Sequence, residues 1–472
     1  MRTEGHYIGG SWEPGGPATF EVINPFDESV LARCALGGAA EVDRAVAAAR
    51  LAMTDPLPAH ERARLCDLIA AIVKDDLGGF AREICAESGK PIKTARAEAE
   101  RCVSTWTFAG VTARTMTGHT VPMDAAAAGV GKLAFTIREP RGVLAAITPF
   151  NFPLNLVAHK LAPALAAGCA TVLKPADKTP LSAVRLVKAM AAAGVPAGWI
   201  NLVNGMGADV AAPLANHPDV AVVSFTGSTR VGNGLLKSAA GKHVLLELGS
   251  NAPLIVESDA DIARVVGKIR ATGFSHAGQS CISVQRVFVA AEIYRPLLDQ
   301  LVRAVESLVV GDPADEATDV GPLIRPSERD RVLAMIDEAR AGGAEVLTGG
   351  NADGVLLKPT VVAGGSRAMR LCAEEAFGPV VVVQSYDGID AAIEAANDSP
   401  YGLNAGIFTS RLDVALRAIH GLRAGAVLVN ESPTFRADQM PYGGVGDSGN
   451  TREGPAYAAH ELTVDKLVII EP

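Results

Sequence analysis

Three residues of this chain have the chemistry of a nucleophilic site: a cysteine at 281, a glutamate at 247 and an asparagine at 151. Cys281 stands in Gly278-Gln279-Ser280-Cys281-Ile282-Ser283-Val284-Gln285-Arg286, between an amphipathic run at 262–274 and a β-rich run at 284–289. The pattern predicts a small-residue turn from helix to strand, where a thiol is reachable and backbone N–H groups can face a developing oxyanion. A small apolar cysteine in a core fits the same local pattern, since free cysteines are usually buried. Glu247 ends an apolar run whose burial would raise a carboxyl toward the working range of a general base; a strand end equally suits a solvated glutamate. Asn151, in Thr148-Pro149-Phe150-Asn151-Phe152-Pro153, is held between aromatics and prolines as a rigid oxyanion donor, or it satisfies the backbone of a turn.

Other junctions suit a nucleotide. Lys174-Pro175-Ala176-Asp177 places a cation and an acid where a strand ends, fit for ribose hydroxyls or phosphate, although a solvated loop pair looks the same. Phe225-Thr226-Gly227-Ser228-Thr229-Arg230-Val231-Gly232 reads as a strand-to-helix turn whose N–H groups suit a pyrophosphate. It is not GxGxxG. That motif occurs at Gly444-Val445-Gly446-Asp447-Ser448-Gly449, but after a proline-containing loop, and reads as a turn. Glu374-Glu375-Ala376-Phe377-Gly378-Pro379 sets a carboxylate beside an aromatic, able to hold a ribose and wall a ring, or it is an acidic loop.

Something must position these residues. A chain of 472 residues, 49% hydrophobic with 48 Gly and 28 Pro, predicts a soluble, turn-rich α/β protein of two to three domains. The net charge of −9, with no basic run, argues against a nucleic-acid partner. Seven cysteines without a CxxC pair exclude the usual zinc spacings, predict no metal, and make a disulfide framework unexpected. Residues 1–10 lack the apolar core of a signal peptide, and no run is long enough for a membrane span. The expected location is cytoplasmic.

Residues 5–33 read as short strands, with Gly9-Gly10 and Pro14-Gly15-Gly16-Pro17 as turns. The period is helical over 41–116, including 40–53, 62–75 and 93–108. Residues 118–138 read as two extended arms around the flexible link 125–129, and such arms need another domain or subunit to lie on. From 142 onward, short apolar strands at 143–147, 171–173, 199–203, 220–225 and 244–246 alternate with helices, the pattern of a parallel sheet covered on both faces. Thr179-Pro180 supplies an N-cap and a first helical position. After 251 a second α/β pattern follows, with strands at 284–289, 380–384 and 426–429. A terminal strand at 462–470 again wants a partner.

Taken in order, Pro149 to Pro153, Lys174-Pro175, Phe225 to Ser228, Glu247 to Gly249, Gly278 to Cys281, Glu375 to Pro379 and Pro441 to Gly444 resemble the NAD(P)-dependent aldehyde dehydrogenase superfamily across essentially the whole chain. Within it, residues 278–286 and Phe435-Arg436-Ala437-Asp438-Gln439-Met440-Pro441-Tyr442 look most like the lactaldehyde dehydrogenase-like branch. The resemblance implies a Rossmann-like cofactor domain (1–117 and 141–249), a second α/β catalytic domain (250–448) and a β oligomerisation arm (118–140 and 449–472), assembled as a homodimer or homotetramer. It implies Cys281 as nucleophile, Asn151 with the Cys281 backbone N–H as oxyanion hole, and Glu247 as general base. Lys174 and Asp177 would hold the adenosine ribose, Gly227 and Ser228 would lie near the pyrophosphate, and Glu375 and Phe377 would contact the nicotinamide riboside. Thr148, Pro149, Phe150, Phe225 and Leu248 would complete the cofactor groove.

Departures from the family pattern carry the substrate expectations. Asp177 stands where many NAD-preferring members carry Glu; an acid there repels a 2′-phosphate, so NAD is expected, with NADP possible. Ser280 replaces the arginine that phosphate-bearing aldehyde enzymes tend to carry before the nucleophile. That favours a small polar aldehyde, lactaldehyde- or semialdehyde-like. A non-phosphorylating glyceraldehyde-3-phosphate dehydrogenase and a CoA-acylating semialdehyde dehydrogenase are the alternatives. Arg101, His159 and Arg436 fall where related enzymes line the substrate entrance, to hold a hydroxyl or anionic end or to make structural salt bridges.

Overall fold

The five apolar runs between 143 and 247 become five strands that pair parallel in one sheet. In spatial order they are His243–Glu247, Val220–Thr226, Val143–Ile147, Thr171–Lys174 and Ile200–Leu202, continued by the antiparallel strands His6–Ile8 and Ser11–Glu13. The computed structural model describes residues 1–14, 16 and 18–471; of the predicted turn at 14–17, Gly15 and Pro17 lie outside the described residues, as does Pro472 of the predicted arm. Val143–Ile147 is buried along its whole length, as a parallel strand covered on both faces must be. From it the chain proceeds to Thr171–Lys174 and Ile200–Leu202 on one side, then returns to Val220–Thr226 on the other. The order therefore reverses between Val143–Ile147 and Val220–Thr226, and ligands of open parallel sheets bind beyond the carboxyl ends at such a reversal. Residues 148–151 and 227–228 emerge there.

Helices Ala39–Ala52, Ala59–Asp75, Leu77–Ser88 and Ile92–Thr115 share one core with this sheet and with Asn155–Ala167, a helix buried on every side. Two helices of this core begin on buried carboxylates. Glu98 accepts the N–H groups of Leu154 and Asn155 at 3.0 and 3.1 Å, and Glu87 accepts those of Leu181 and Ser182 at 2.6 and 2.9 Å. Glu87 changes the predicted cap. The helix is Leu181–Ala192 with Pro180, not Thr179, as its cap residue, because Glu87 already satisfies the free N–H groups, while the Thr179 hydroxyl donates to the Phe150 carbonyl at 3.2 Å.

The second sheet runs Glu345–Thr348, Thr360–Ala363, Val380–Tyr386, Arg286–Ala290, Pro253–Val256, Asn404–Phe408 and Ala426–Val429, parallel apart from its first pair. Alternating residues feed two cores, Leu254 and Val287 on one face and Ile255, Phe288 and Ile407 on the other, as the two-residue period of a strand requires. Thr120–Val121, Leu133–Pro140 and Thr463–Ile470 form a third, antiparallel sheet. The predicted link between the arms holds two 3₁₀ turns, Met123–Ala125 and Ala127–Gly129. Helix Pro455–Glu461, ahead of the last strand, joins the first core through Ala459 together with Leu462 instead of the third sheet. Among the described residues, no helix is long and apolar enough to cross a membrane.

Candidate active site

A cavity of about 210 Å³ has Cys281, Ser280, Arg101, Arg436, Phe152 and Tyr442 in its wall. The 3₁₀ segment Ser275–Gly278 turns the chain ahead of Cys281, with His276, Ala277 and Gly278 at φ of 50°, 53° and 69°. Left-handed backbone costs a non-glycine residue about 1–3 kcal/mol and collects at functional sites. At 278 only glycine fits, because a Cβ would lie 2.0 Å from the Gly378 carbonyl oxygen. Cys281 emerges half-buried, whereas the other six cysteines are buried. Its Sγ meets the Tyr442 hydroxyl at 2.9 Å. Burial pushes the thiol up to about 12; Tyr442 and the charge of Arg436 pull it down, and Glu375 and Glu247 push it up.

Two candidate donors meet at the turn 279–281. Within the described residues, no hydrogen bond engages the Cys281 backbone N–H. Asn151, buried, donates its side-chain amide to the Gln279 carbonyl at 3.0 Å, which leaves one amide hydrogen for a ligand. Glu247 ends the edge strand of the first sheet, and neither of its carboxyl oxygens has a hydrogen-bond partner among the described residues. Burial, and then the charge of Glu453, raise its pKa well above the carboxylate range, offset in part by Arg436, Lys160 and Arg452. Gly443, next to Tyr442, leaves room for it: a Cβ there would stand 2.7 Å from Glu247 Oε1.

At the sheet reversal, Lys174 ends its strand buried, with no ion pair from its ammonium among the described residues, and burial lowers its pKa against the opposing charge of Asp177. The Asp177 carboxylate lies 3.6 Å from Lys178. The Thr148 N–H donates to the Lys174 carbonyl at 3.2 Å, tying the two strand ends together. Glu375 accepts the Ser250 N–H at 2.9 Å, and burial pushes its carboxyl up to about 7. Phe377, left-handed at φ 47°, sets its ring edge-on to Phe150 with centroids 5.9 Å apart, one residue beyond Pro149. An unpaired buried ammonium, a nearby acid and an aromatic wall fit a nucleotide. The Gly227 N–H is already given to the Glu247 carbonyl at 3.0 Å, and Ser228, exposed, is the cap residue of helix Thr229–Ser238. Phe225 and Leu248 are core residues beneath these turns, where a Cβ on Gly227 or on Gly232 would strike them at 2.5 and 2.4 Å.

Asp438 gathers three of the surrounding groups: Arg101 at 2.8 Å, His159 at 3.0 Å and Asn155 at 3.1 Å. Arg436 pairs with Glu453 at 2.9 Å and lies 3.8 Å over the Tyr442 ring. Arg101, Arg436 and Ser280 line the cavity, whereas His159 stands behind it, with burial and the charge of Arg436 pushing it down to about 4. Burial opposes ionisation of Asp438, but the His159 hydrogen bond and the charge of Arg101 outweigh it and hold the carboxyl well below its usual range. Such a carboxylate stabilises the fold above its unfolded pKa, and the gain disappears as pH falls through the folded value. Asp438→Asn is expected to cost about 3 kcal/mol at neutral pH, the low end for a broken buried pair because Arg101 is 29% exposed. In urea titrations the deficit should shrink in acid, and a deficit constant from pH 7 to 3 would contradict this account.

The sequence reading missed Lys160, Glu453 and the Tyr442 contact. Lys160 donates to Ser224 at 2.9 Å and lies 3.4 Å from Glu453, whose carboxyl is held at about 2 because Lys160 and Arg436 outweigh its burial. One signal was present: His159-Lys160 interrupts an otherwise apolar helix, and buried charge demands partners.

The sequence profile of the aldehyde dehydrogenase family matches residues 12–468. A 3-sulfolactaldehyde dehydrogenase of Priestia megaterium is 41% identical over 471 residues, covering 100% of this chain and 98% of its own. The crystal structure of aldehyde dehydrogenase 21 from Physcomitrella patens, in complex with the reaction product succinate, superimposes with a TM-score of 0.96 at 34% identity, covering 99% of this chain and 98% of that one. A lactaldehyde dehydrogenase from Escherichia coli superimposes with a TM-score of 0.96 at 33% identity, covering 100% and 99%.

Proposed function

This chain belongs to the aldehyde dehydrogenase family, and from that premise we propose that it oxidises a short aldehyde with a polar or anionic far end, of the lactaldehyde, sulfolactaldehyde or semialdehyde class, to the carboxylate. The observation that carries this reading is the cavity at Cys281. Its volume of about 210 Å³ is below the range of drug-sized pockets, and Arg101 and Arg436 in its wall give an anionic or hydroxyl end charged donors. The names of the relatives support the same substrate class.

In this reading Cys281 attacks the aldehyde carbon, and the thiohemiacetal oxyanion is held by the Asn151 amide and the Cys281 N–H. Lys174, Asp177, Glu375 and Phe377 would hold the nicotinamide dinucleotide, which when bound would take the hydride that the thiohemiacetal carbon gives up, leaving a thioester on Cys281. Glu247 takes a proton from water as it attacks the thioester, and Cys281 leaves as thiolate. The first sheet serves as cofactor domain and the second as catalytic domain. The third sheet serves as the arm of a homodimer or homotetramer, since Leu133, Leu467, Ile469 and Ile470 stand exposed on it. Asp177 favours NAD over NADP, and seven unpaired cysteines suit the reducing cytoplasm.

A panel of aldehydes scored by kcat/KM with NAD and with NADP tests this. Lactaldehyde, sulfolactaldehyde or succinic semialdehyde should exceed hexanal and benzaldehyde by about tenfold or more, the worth of one or two well-placed polar contacts. Preference for the apolar aldehydes would overturn the substrate class, and preference for NADP would overturn the role of Asp177.

A further inference from the structure

Cys281 Sγ has one hydrogen-bond partner among the described residues, the hydroxyl of Tyr442 at 2.9 Å. We propose that Tyr442 is a further catalytic residue, whose hydroxyl donates to the Cys281 thiolate and sets the pH at which that thiolate forms. The inference rests on the reading of Cys281 as nucleophile.

Three observations support it. Tyr442 is buried, and its main chain is locked to Glu453 by two hydrogen bonds, of 3.1 and 2.6 Å, so the phenol holds a fixed position against the sulfur. The Arg436 guanidinium lies 3.8 Å over the Tyr442 ring and is anchored by Glu453. A cation on the ring face withdraws electron density and makes the phenol O–H a stronger donor. Cys281 also sits in a half-buried pocket near two carboxyl groups, Glu247 and Glu375, whose charges oppose thiolate formation. A neutral donor there favours the thiolate over the thiol without adding charge. On ionisation the S–H bond breaks and its proton leaves to solvent, while the Tyr442 proton stays on oxygen, because the phenol is itself held well above its usual range.

The test is Tyr442→Phe, which keeps the ring under Arg436 and deletes one oxygen. Alkylation by iodoacetamide, in which the thiolate forms an S–C bond and iodide leaves, reads the thiolate directly; the other six cysteines are buried, and Cys281→Ser supplies the blank. The pH midpoint of alkylation should rise by about one unit, roughly a tenfold slower reaction at pH 7.5. The kcat/KM for aldehyde should fall by a similar factor at that pH and recover in alkaline buffer, with cofactor affinity and Tm unchanged. An unchanged midpoint, or a loss of activity equal at every pH, would overturn the proposal. Both measurements differ from failure of the nucleophile reading itself, which would show as Cys281→Ala retaining activity whatever the Tyr442→Phe profile.

Discussion

Cys281→Ala is expected to lower kcat for aldehyde oxidation by roughly 10⁴-fold or more, the scale on which deletion of a covalent nucleophile acts. The thiol is half-buried at the cavity wall, and its removal leaves the Tyr442 hydroxyl without its partner. Stability should change by about 1 kcal/mol at most, because one small group is deleted where a cavity already exists. Cofactor affinity, read by fluorescence titration, should hold, since Lys174, Asp177, Glu375 and Phe377 are untouched. Cys281→Ser should be nearly as inactive, a hydroxyl being a far weaker nucleophile at neutral pH. Alanine-variant turnover within tenfold of the parent would remove the thiol from the mechanism.

Glu247→Gln is expected to separate the two halves of the reaction. Hydride transfer needs no carboxylate, so one equivalent of reduced cofactor should appear rapidly per site. Steady-state turnover should then fall by about 10²–10⁴-fold, the contribution of a positioned general base. If a CoA thiol were the natural acceptor, added CoA would restore turnover in this variant, and that outcome would favour acyl transfer over hydrolysis. The carboxyl also leaves a mark on stability. Its folded pKa lies well above its unfolded value, so its contribution is present in acid and is lost as pH rises through the folded pKa. Glu247→Gln should therefore gain in stability relative to the parent as the buffer becomes alkaline.

How far the chain could be read depends on whether the decisive interaction is local. Val143–Ile147 is five apolar residues in a row and announces a buried strand. Pro253–Val256 and Asn404–Phe408, the two neighbouring central strands of the second sheet, went unread: one begins with proline, and the other holds Asn404 and Gly406. Asn and Gly are poor strand formers, and here packing between two cores overrides propensity. Cys281, Asn151 and Glu247 could be singled out as candidates because each stands in a junction of distinctive composition. The Tyr442 hydrogen bond spans 161 residues and Lys160–Glu453 spans 293, so nothing in either local stretch points to the other. Phe225 and Leu248 show the opposite difficulty: they belong to motifs that resemble a cofactor groove, yet their side chains fill the core beneath it.

In the proposed mechanism Cys281 carries the substrate as a thioester, which Glu247 then releases. The most direct test is acid quenching of Glu247→Gln after mixing with aldehyde and cofactor, followed by mass spectrometry of the peptide containing Cys281. This peptide should gain the mass of the acyl group, near one equivalent per site, and Cys281→Ala should show no such gain under the same conditions. An unmodified Cys281 at the end of a full burst of reduced cofactor, or an acyl group on another residue, would contradict this mechanism.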